Sequence, residues 1–350
     1  MNKAKYTEDV PEDRNELFEV VYKLERPAKI MVIGGTDSGK TTLVTFLANK
    51  LISRGFKVAL LDSDIGQKSI LPPATISLTL TSSPFQSPSE LKALKNYFVG
   101  SITPSSHFGE VVTGVRRLAE LGEELADFVI IDTTGYVENA GRDLKRLKAE
   151  LVKPELIVFL QKESELEELI KSFRRFSRTM SLRVSEKALG YSRSRRRSIR
   201  KEKWKAYFQN AQSYTVDLSK YLISGTEMFH GEDITPEEKT LLEKLYGLLI
   251  FAGWKNRRYT IVGAGSSPQE TDIHYIDFER LSNLLVGFID QEGFCLGIGI
   301  LKLINFREKK AEILTPLRQE ELRNIVEIRF GRIRVREDGE ELGLLSREAL

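Results

Sequence analysis

The 350-residue chain exceeds the usual size of one domain, so two are expected, each with its own core. Its 41% apolar and 29% charged residues are ordinary for a globular protein; no apolar run approaches membrane-spanning length, and residues 1–5 lack the core of a signal peptide. A formal net charge of +3 excludes a uniformly basic surface, so any polyanion contact must be local.

Residues 1–26 are polar and acidic and read as a short arm or edge element. From there to about residue 250 short apolar runs alternate with amphipathic stretches, the pattern of an α/β domain. Strands are expected at 30–33, 58–61, 98–100, 128–131 and 156–160. Between them, Leu43, Leu47 and Leu51 share one helical face, and Phe108, Val111, Val112, Val115, Leu118 and Leu121 share another. Continuous apolar runs bounded by such helices predict a parallel sheet covered on both faces.

Directly after the first run stands Gly34-Gly35-Thr36-Asp37-Ser38-Gly39-Lys40-Thr41-Thr42, which contains G-x-x-x-x-G-K-[ST] between a strand and a helix. That context makes the pattern a phosphate cradle: glycines let backbone N–H groups converge on phosphates, and the helix offers its positive end. Lys40 is expected to neutralise phosphate charge and the Thr41 hydroxyl to hold Mg²⁺, with ATP or another nucleoside triphosphate as ligand.

The second strand runs into Asp62-Ser63-Asp64-Ile65-Gly66-Gln67. In extended chain Asp62 and Asp64 leave the same face. Were this strand beside the P-loop strand, both carboxylates would lie at the carboxyl edge of the sheet, one organising Mg²⁺ and the other taking a proton from an attacking hydroxyl. The fourth strand ends in Asp132-Thr133-Thr134-Gly135, where Asp132 is a further candidate metal-facing residue. Its D-x-x-G form resembles a GTPase switch, yet the segment Gln161-Lys162-Glu163-Ser164 has no carboxylate where guanine is read.

Between Lys171 and Lys205 stand 14 Lys/Arg against Glu186 and Glu202, a net +12 that leaves −9 on the remainder. A helical lid is expected over about 190–210, with Arg196 and Arg200 on one face. Trp204, Tyr207 and Phe208 follow at helical spacing and read as the packed foot of that helix rather than as base-stacking groups. A helix over 236–249 closes the domain.

The remainder, 251–350, reads as a small, barrel-like β-domain, with strands at 258–262, 285–289, 294–304, 310–314 and 332–336 and hairpin turns at 291–293 and 337–339. An RNA clamp and a partner dock are equally compatible with it. Cys295, the single cysteine, excludes an internal disulfide, suits a reducing cytoplasmic setting, and has the flanks of a small apolar strand residue. His107, His230 and His274 are scattered without metal-ligand spacing and read as surface or helix-associated residues.

Four of these segments, in order, resemble the polynucleotide 5′-hydroxyl kinases, the family of the RNA kinases of pre-tRNA splicing, mRNA 3′-end cleavage and ribosomal RNA processing. They are the P-loop in its G-x-T-D-x-G-K-[ST]-T form, Asp64-Ile65-Gly66-Gln67 with Ser69, Pro73 and Thr75, the clasp Gly100-Ser101-Ile102-Thr103-Pro104, and the lid Arg196, Arg200, Tyr207 and Phe208. The resemblance implies that Asp64 activates the 5′-hydroxyl, that Thr103 holds the acceptor end, and that Arg196 and Arg200 stabilise the moving phosphoryl group. Arg193 is the looser lid assignment. Gln67, Thr103, Pro104, Thr134, Tyr136 and Arg197 are expected to line the acceptor, with Tyr136 where the family stacks a tryptophan on the terminal base. Asp132 replaces the family's Asn. The larger N-terminal β-domain of eukaryotic members has no counterpart, so the chain resembles the compact archaeal branch.

The implied activity is transfer of the γ-phosphate of ATP to single-stranded RNA 5′-OH ends, with DNA as second acceptor and protein partners in RNA processing. Two alternatives are a GTPase-type switch and a nucleotide-gated scaffold. The second is disfavoured because P-loop, lid and Asp64 are all intact.

Overall fold

A computed structural model describes residues 6–188, 190–266, 268 and 272–350. The chain forms two compact units, 1–200 and 201–350.

The first unit contains α1 (Asp13–Tyr22), β1 (Ala28–Gly34), α2 (Lys40–Ile52), β2 (Val58–Asp62), β3 (Thr75–Thr81), β4 (Lys95–Phe98), α3 (Phe108–Leu125), β5 (Phe128–Asp132), α4 (Ala140–Val152), β6 (Leu156–Gln161), α5 (Glu167–Phe173) and β7 (Arg178–Arg183). Helix α6 (Arg193–Phe208) begins there and ends in the second unit. The sheet order is β4-β3-β2-β5-β1-β6-β7. From β2 to β7 neighbours are parallel, while β3 and β4 add on antiparallel. Strands β1, β2, β5 and β6 are buried along their whole lengths, which is why they read as unbroken apolar runs. Leu43, Leu47 and Leu51 of α2 lie in the core as their spacing requires.

Three differences from the sequence reading bear on function. The segment 1–26, expected as an arm or edge element, contains a helix: α1 buries Leu17, Phe18 and Val21 in the same core as α2. Its charged residues mask that narrow stripe. The expected strand at 98–100 is β4, three residues earlier, and Gly100 (φ +71°) turns the chain out of the sheet. Finally, β2 does not neighbour β1; β5 lies between them, with Asp132 opposite Val32 on one side and Asp62 on the other.

The second unit contains β8 (Gln212–Asp217), β9 (Leu222–Ser224), β10 (Glu232–Asp233), α7 (Pro236–Tyr246), β11 (Leu249–Lys255), β12 (Tyr259–Ala264), β13 (Ile273–Asp277), β14 (Leu284–Asp290), β15 (Cys295–Asn305), β16 (Lys310–Thr315), α8 (Gln319–Leu322), β17 (Ile325–Val335) and β18 (Glu341–Leu344). One antiparallel sheet runs β8-β16-β15-β14-β17-β18, with β9 parallel on β17; a second runs β10-β11-β12-β13. The division at residue 200, rather than near 250, follows from β8, β9 and β10, whose partners are all later strands. Helix α7 starts with a Thr235–Glu238 capping box and packs Leu242 against the smaller sheet. Both expected hairpin turns are present, with Gly293 and Gly339 at positive φ. Cys295 is buried at the start of β15. His107 precedes α3, but His274 is buried in β13, neither surface nor helical.

Candidate active site

β1 delivers the P-loop into a space with little slack. A Cβ at Gly34 would stand 2.6 Å from Ser38 Oγ and 2.9 Å from the Leu160 carbonyl oxygen, so this position takes only glycine. Asp37 (φ +59°) and Gly39 (φ +87°) both adopt left-handed backbone, the turn that lets successive amides face one centre. Lys40 is buried and donates to the Gly35 carbonyl at 2.7 Å. Burial lowers its pKa, opposed by the charges of Asp132, Asp64 and Asp37.

Thr41 Oγ1 donates to Asp132 Oδ2 at 2.6 Å. The other oxygen, Oδ1, is buried with no hydrogen-bond partner among the described residues. Burial and the neighbouring Asp62 push this carboxyl up to about 7, against the pull of Lys40. A hydroxyl and an unsatisfied carboxylate oxygen, side by side at the head of α2, form a hard-oxygen donor set that fits Mg²⁺. Beyond Asp132, the chain folds onto the loop: a Cβ at Gly135 would lie 2.5 Å from Thr36 Oγ1 and 2.7 Å from its nitrogen. Thr133 Oγ1 bonds the Val32 carbonyl at 2.7 Å, and Tyr136 is half-buried just past this contact.

The two acids after β2 take different tasks. Asp62 is spent on the turn: Oδ2 accepts from the amides of Ser69 (2.6 Å) and Ile70 (2.9 Å), and Oδ1 from that of Asp64 (3.1 Å). Lys68 Nζ lies 3.5 Å from Oδ2. Asp64 is half-buried, and only its Oδ1 is engaged in this turn, by the amides of Gly66 (3.0 Å) and Gln67 (2.9 Å). The clasp adjoins this turn, because a Cβ at Gly66 would stand 3.0 Å from the Ile102 carbonyl oxygen. Within the clasp, Ser101 Oγ accepts from the Thr103 amide at 3.2 Å and donates to its carbonyl at 3.0 Å; Pro104 is buried.

The start of α6 meets the P-loop at a carboxylate. Asp37 Oδ2 accepts from Arg196 Nη2 at 2.9 Å and from the Tyr191 amide at 2.8 Å. Arg196 Nε is buried without a hydrogen-bond partner among the described residues. Arg193 and Arg197 are exposed and Arg200 is half-buried. At the other end, Trp204 and Phe208 are buried in the second unit, where Trp204 Nε1 donates to Glu341 at 3.2 Å and the Tyr207 hydroxyl accepts from the Ile298 amide at 3.0 Å. The aromatic foot is packing, as its spacing implied.

Sequence reasoning missed three buried lysines, Lys68, Lys145 and Lys148. Lys68 occupies a place that no motif specifies, between Gln67 and Ser69, and Lys145 and Lys148 lie on an amphipathic helix, where lysine ordinarily faces water. Gln161, at the position relevant to guanine reading, is occupied locally, donating to Glu167 and Ser181 and accepting from the Leu166 amide.

The family model described as mRNA cleavage and polyadenylation factor CLP1 P-loop matches residues 34–210. A polyribonucleotide 5′-hydroxyl-kinase of Pyrococcus furiosus is 55% identical over 356 residues, covering 100% of this chain and 99% of that protein. One of Methanocaldococcus jannaschii is 49% identical over 356 residues, again covering 100% and 99%. Among solved structures, Clp1p in its complex with Pcf11p has a TM-score of 0.63 at 12% identity, covering 92% of this chain and 79% of its own, a likeness of fold.

Proposed function

Since the chain belongs to the CLP1 P-loop family, with relatives of about half its residues in common that are polyribonucleotide 5′-hydroxyl-kinases, we propose that Asp64, Lys40, Arg196 and Arg200 carry a kinase reaction at its P-loop. The protein is a polynucleotide 5′-hydroxyl kinase: it moves the γ-phosphate of ATP to the 5′-hydroxyl of RNA. DNA is proposed as a further acceptor.

The 5′-oxygen bonds to the γ-phosphorus as the bridge to the β-phosphate breaks, and the hydroxyl proton passes to Asp64. Asp64 suits this because two backbone amides fix its Oδ1 and thereby orient the carboxylate. Lys40 exchanges the Gly35 carbonyl for phosphate oxygens. Arg196, held beside the P-loop by Asp37, and Arg200 one helical turn on, receive the charge that builds on the transferring group. Thr41 and Asp132 would hold Mg²⁺, which neutralises charge on the β- and γ-oxygens when bound. Asp62 is left as the turn's anchor rather than a metal ligand. Gln67, Thr103, Pro104, Thr134, Tyr136 and Arg197 are assigned to the acceptor end, Tyr136 as the stacking platform. Cytoplasmic action accords with a single buried cysteine, and Clp1p's complex with Pcf11p motivates protein partners for this chain too.

The carrying observation is the adjacency of the Asp64 turn to the clasp at Gly66, with the charge of Asp64 acting on Lys40. Transfer of label from ATP to a 5′-OH oligoribonucleotide tests it. Asp64→Asn is expected to cost ~10²–10⁴-fold in kcat with ATP binding retained. Arg196→Ala or Arg200→Ala should cost at least as much, since a transition-state arginine supplies ~10³–10⁵-fold. Near-normal phosphorylation by Asp64→Asn would remove Asp64 from this role.

A further inference from the structure

Helix α4 turns two lysines inward. Lys145 and Lys148 are both 0% exposed, on the same face as Leu144, Ala149 and Val152. Lysine is almost never so placed without a partner, because an ammonium taken out of water costs several kcal/mol. Lys145 Nζ donates to the Thr134 carbonyl at 2.5 Å and to Thr134 Oγ1 at 3.0 Å. Lys148 Nζ donates to Ser63 Oγ at 3.1 Å. Ser63 in turn donates through both Oγ (2.7 Å) and its amide (2.9 Å) to the Asp132 carbonyl.

Neither lysine has a carboxylate within ion-pair distance among the described residues, so their direct partners are neutral oxygens. The offsetting charges act at longer range, from Asp64 and Asp132 on both and from Asp62 on Lys148. Burial pushes Lys148 down to about 8 and Lys145 well below the ordinary lysine range. A helix that needed only to cover the sheet would be served better by leucine at both positions. What the lysines add is reach: one grips the turn after β5, the other the turn after β2.

We infer that Lys148, with Lys145 beside it, is a positioning residue for phosphoryl transfer: from the buried face of α4 the pair fixes, through Ser63 and Thr134, the two turns that present Asp64 and Tyr136 to the acceptor end. This rests on the role given to Asp64 above. The nucleotide cradle is built by β1, α2 and the loop between them, so the lysines act on the acceptor side and on geometry at the moment of transfer. A misplacement of about 1 Å in such a site costs ~10²-fold in rate.

The test is steady-state kinase kinetics with thermal unfolding on Lys148→Met, Ser63→Ala, Asp64→Asn and the Lys148→Met/Asp64→Asn double variant. Expected for Lys148→Met is a kcat lowered ~10–100-fold, a KM for ATP within about twofold of normal, and a melting temperature unchanged or raised. In the Asp64→Asn background the same change should cost nothing further. Ser63→Ala, which cuts the link without touching the buried charge, should lower kcat in the same direction and decides the matter if Lys148→Met fails to fold. Normal kcat in Ser63→Ala or in a folded Lys148→Met overturns the inference while Asp64→Asn stays inactive. Parallel loss of kcat, ATP affinity and melting temperature, additive with Asp64→Asn, overturns it in favour of plain scaffolding. An active Asp64→Asn instead removes the reading beneath it.

Discussion

Asp132 and Cys295 are both buried, and their surroundings give them opposite fates. The carboxyl of Asp132 stands among Thr41, Lys40 and two other acids, and burial with the Asp62 charge pushes it up to about 7. The Cys295 thiol instead donates to the Gly297 carbonyl in a strand, and burial pushes it up to about 12. A thiol reagent at pH 8 should therefore leave native protein unlabelled and react after denaturation. Labelling of the native protein at the rate of a free thiol would contradict the burial. The linkage has a definite sign: the unfolded thiol ionises near pH 9 and the folded one near 12. Cys295 thus has no effect on stability below about pH 9 and weakens the fold as pH rises through that window.

At the scale of elements, α6 is the piece whose two ends answer to different surroundings. Its N-terminal turn meets the P-loop at Asp37, at a site still partly open to water. Its foot is closed by Trp204 and Phe208, and Gly339 presses so near the Lys201 carbonyl that a Cβ would meet it at 2.2 Å. Hydrogen bonds to charged groups contribute ~1.5–3 kcal/mol, which corresponds to ~10-fold or more in local opening. Asp37→Ala is expected to speed amide exchange by that factor at Tyr191 and the first turn of α6, while residues near Trp204 keep their protection. Unchanged exchange at Tyr191 would show that other contacts hold the lid.

For the molecule as a whole, the groups assigned to catalysis, from Lys40 to Arg200, all lie within residues 1–200. ATP at 100 times its Kd should raise unfolding stability by ~2.7 kcal/mol through linkage, and Lys40→Ala should remove most of that gain. GTP should stabilise comparably, because Gln161 is committed to Glu167, Ser181 and Leu166 and no guanine-reading carboxylate follows it. Stabilisation by GTP alone would reopen the switch reading. Among the described residues no helix is long and apolar enough to cross a membrane.

What the amino-acid order determined by itself was whatever depends on local backbone and near neighbours. Gly34 and Gly39 are demanded by a loop that leaves no room for, or twists away from, a side chain; Asp64 is demanded by a turn whose amides lie two and three residues on. The lid foot announced itself because Trp204, Tyr207 and Phe208 recur at helical spacing. Only the tertiary structure decided that β5 separates β2 from β1, that Asp62 serves a turn, that 13–22 is a core helix, and that Lys145 and Lys148 face inward. Each of these depends on tertiary packing: the choice of Lys145 and Lys148 between water and the interior is set by oxygens in the turns after β5 and β2, and nothing in their own segment records their presence.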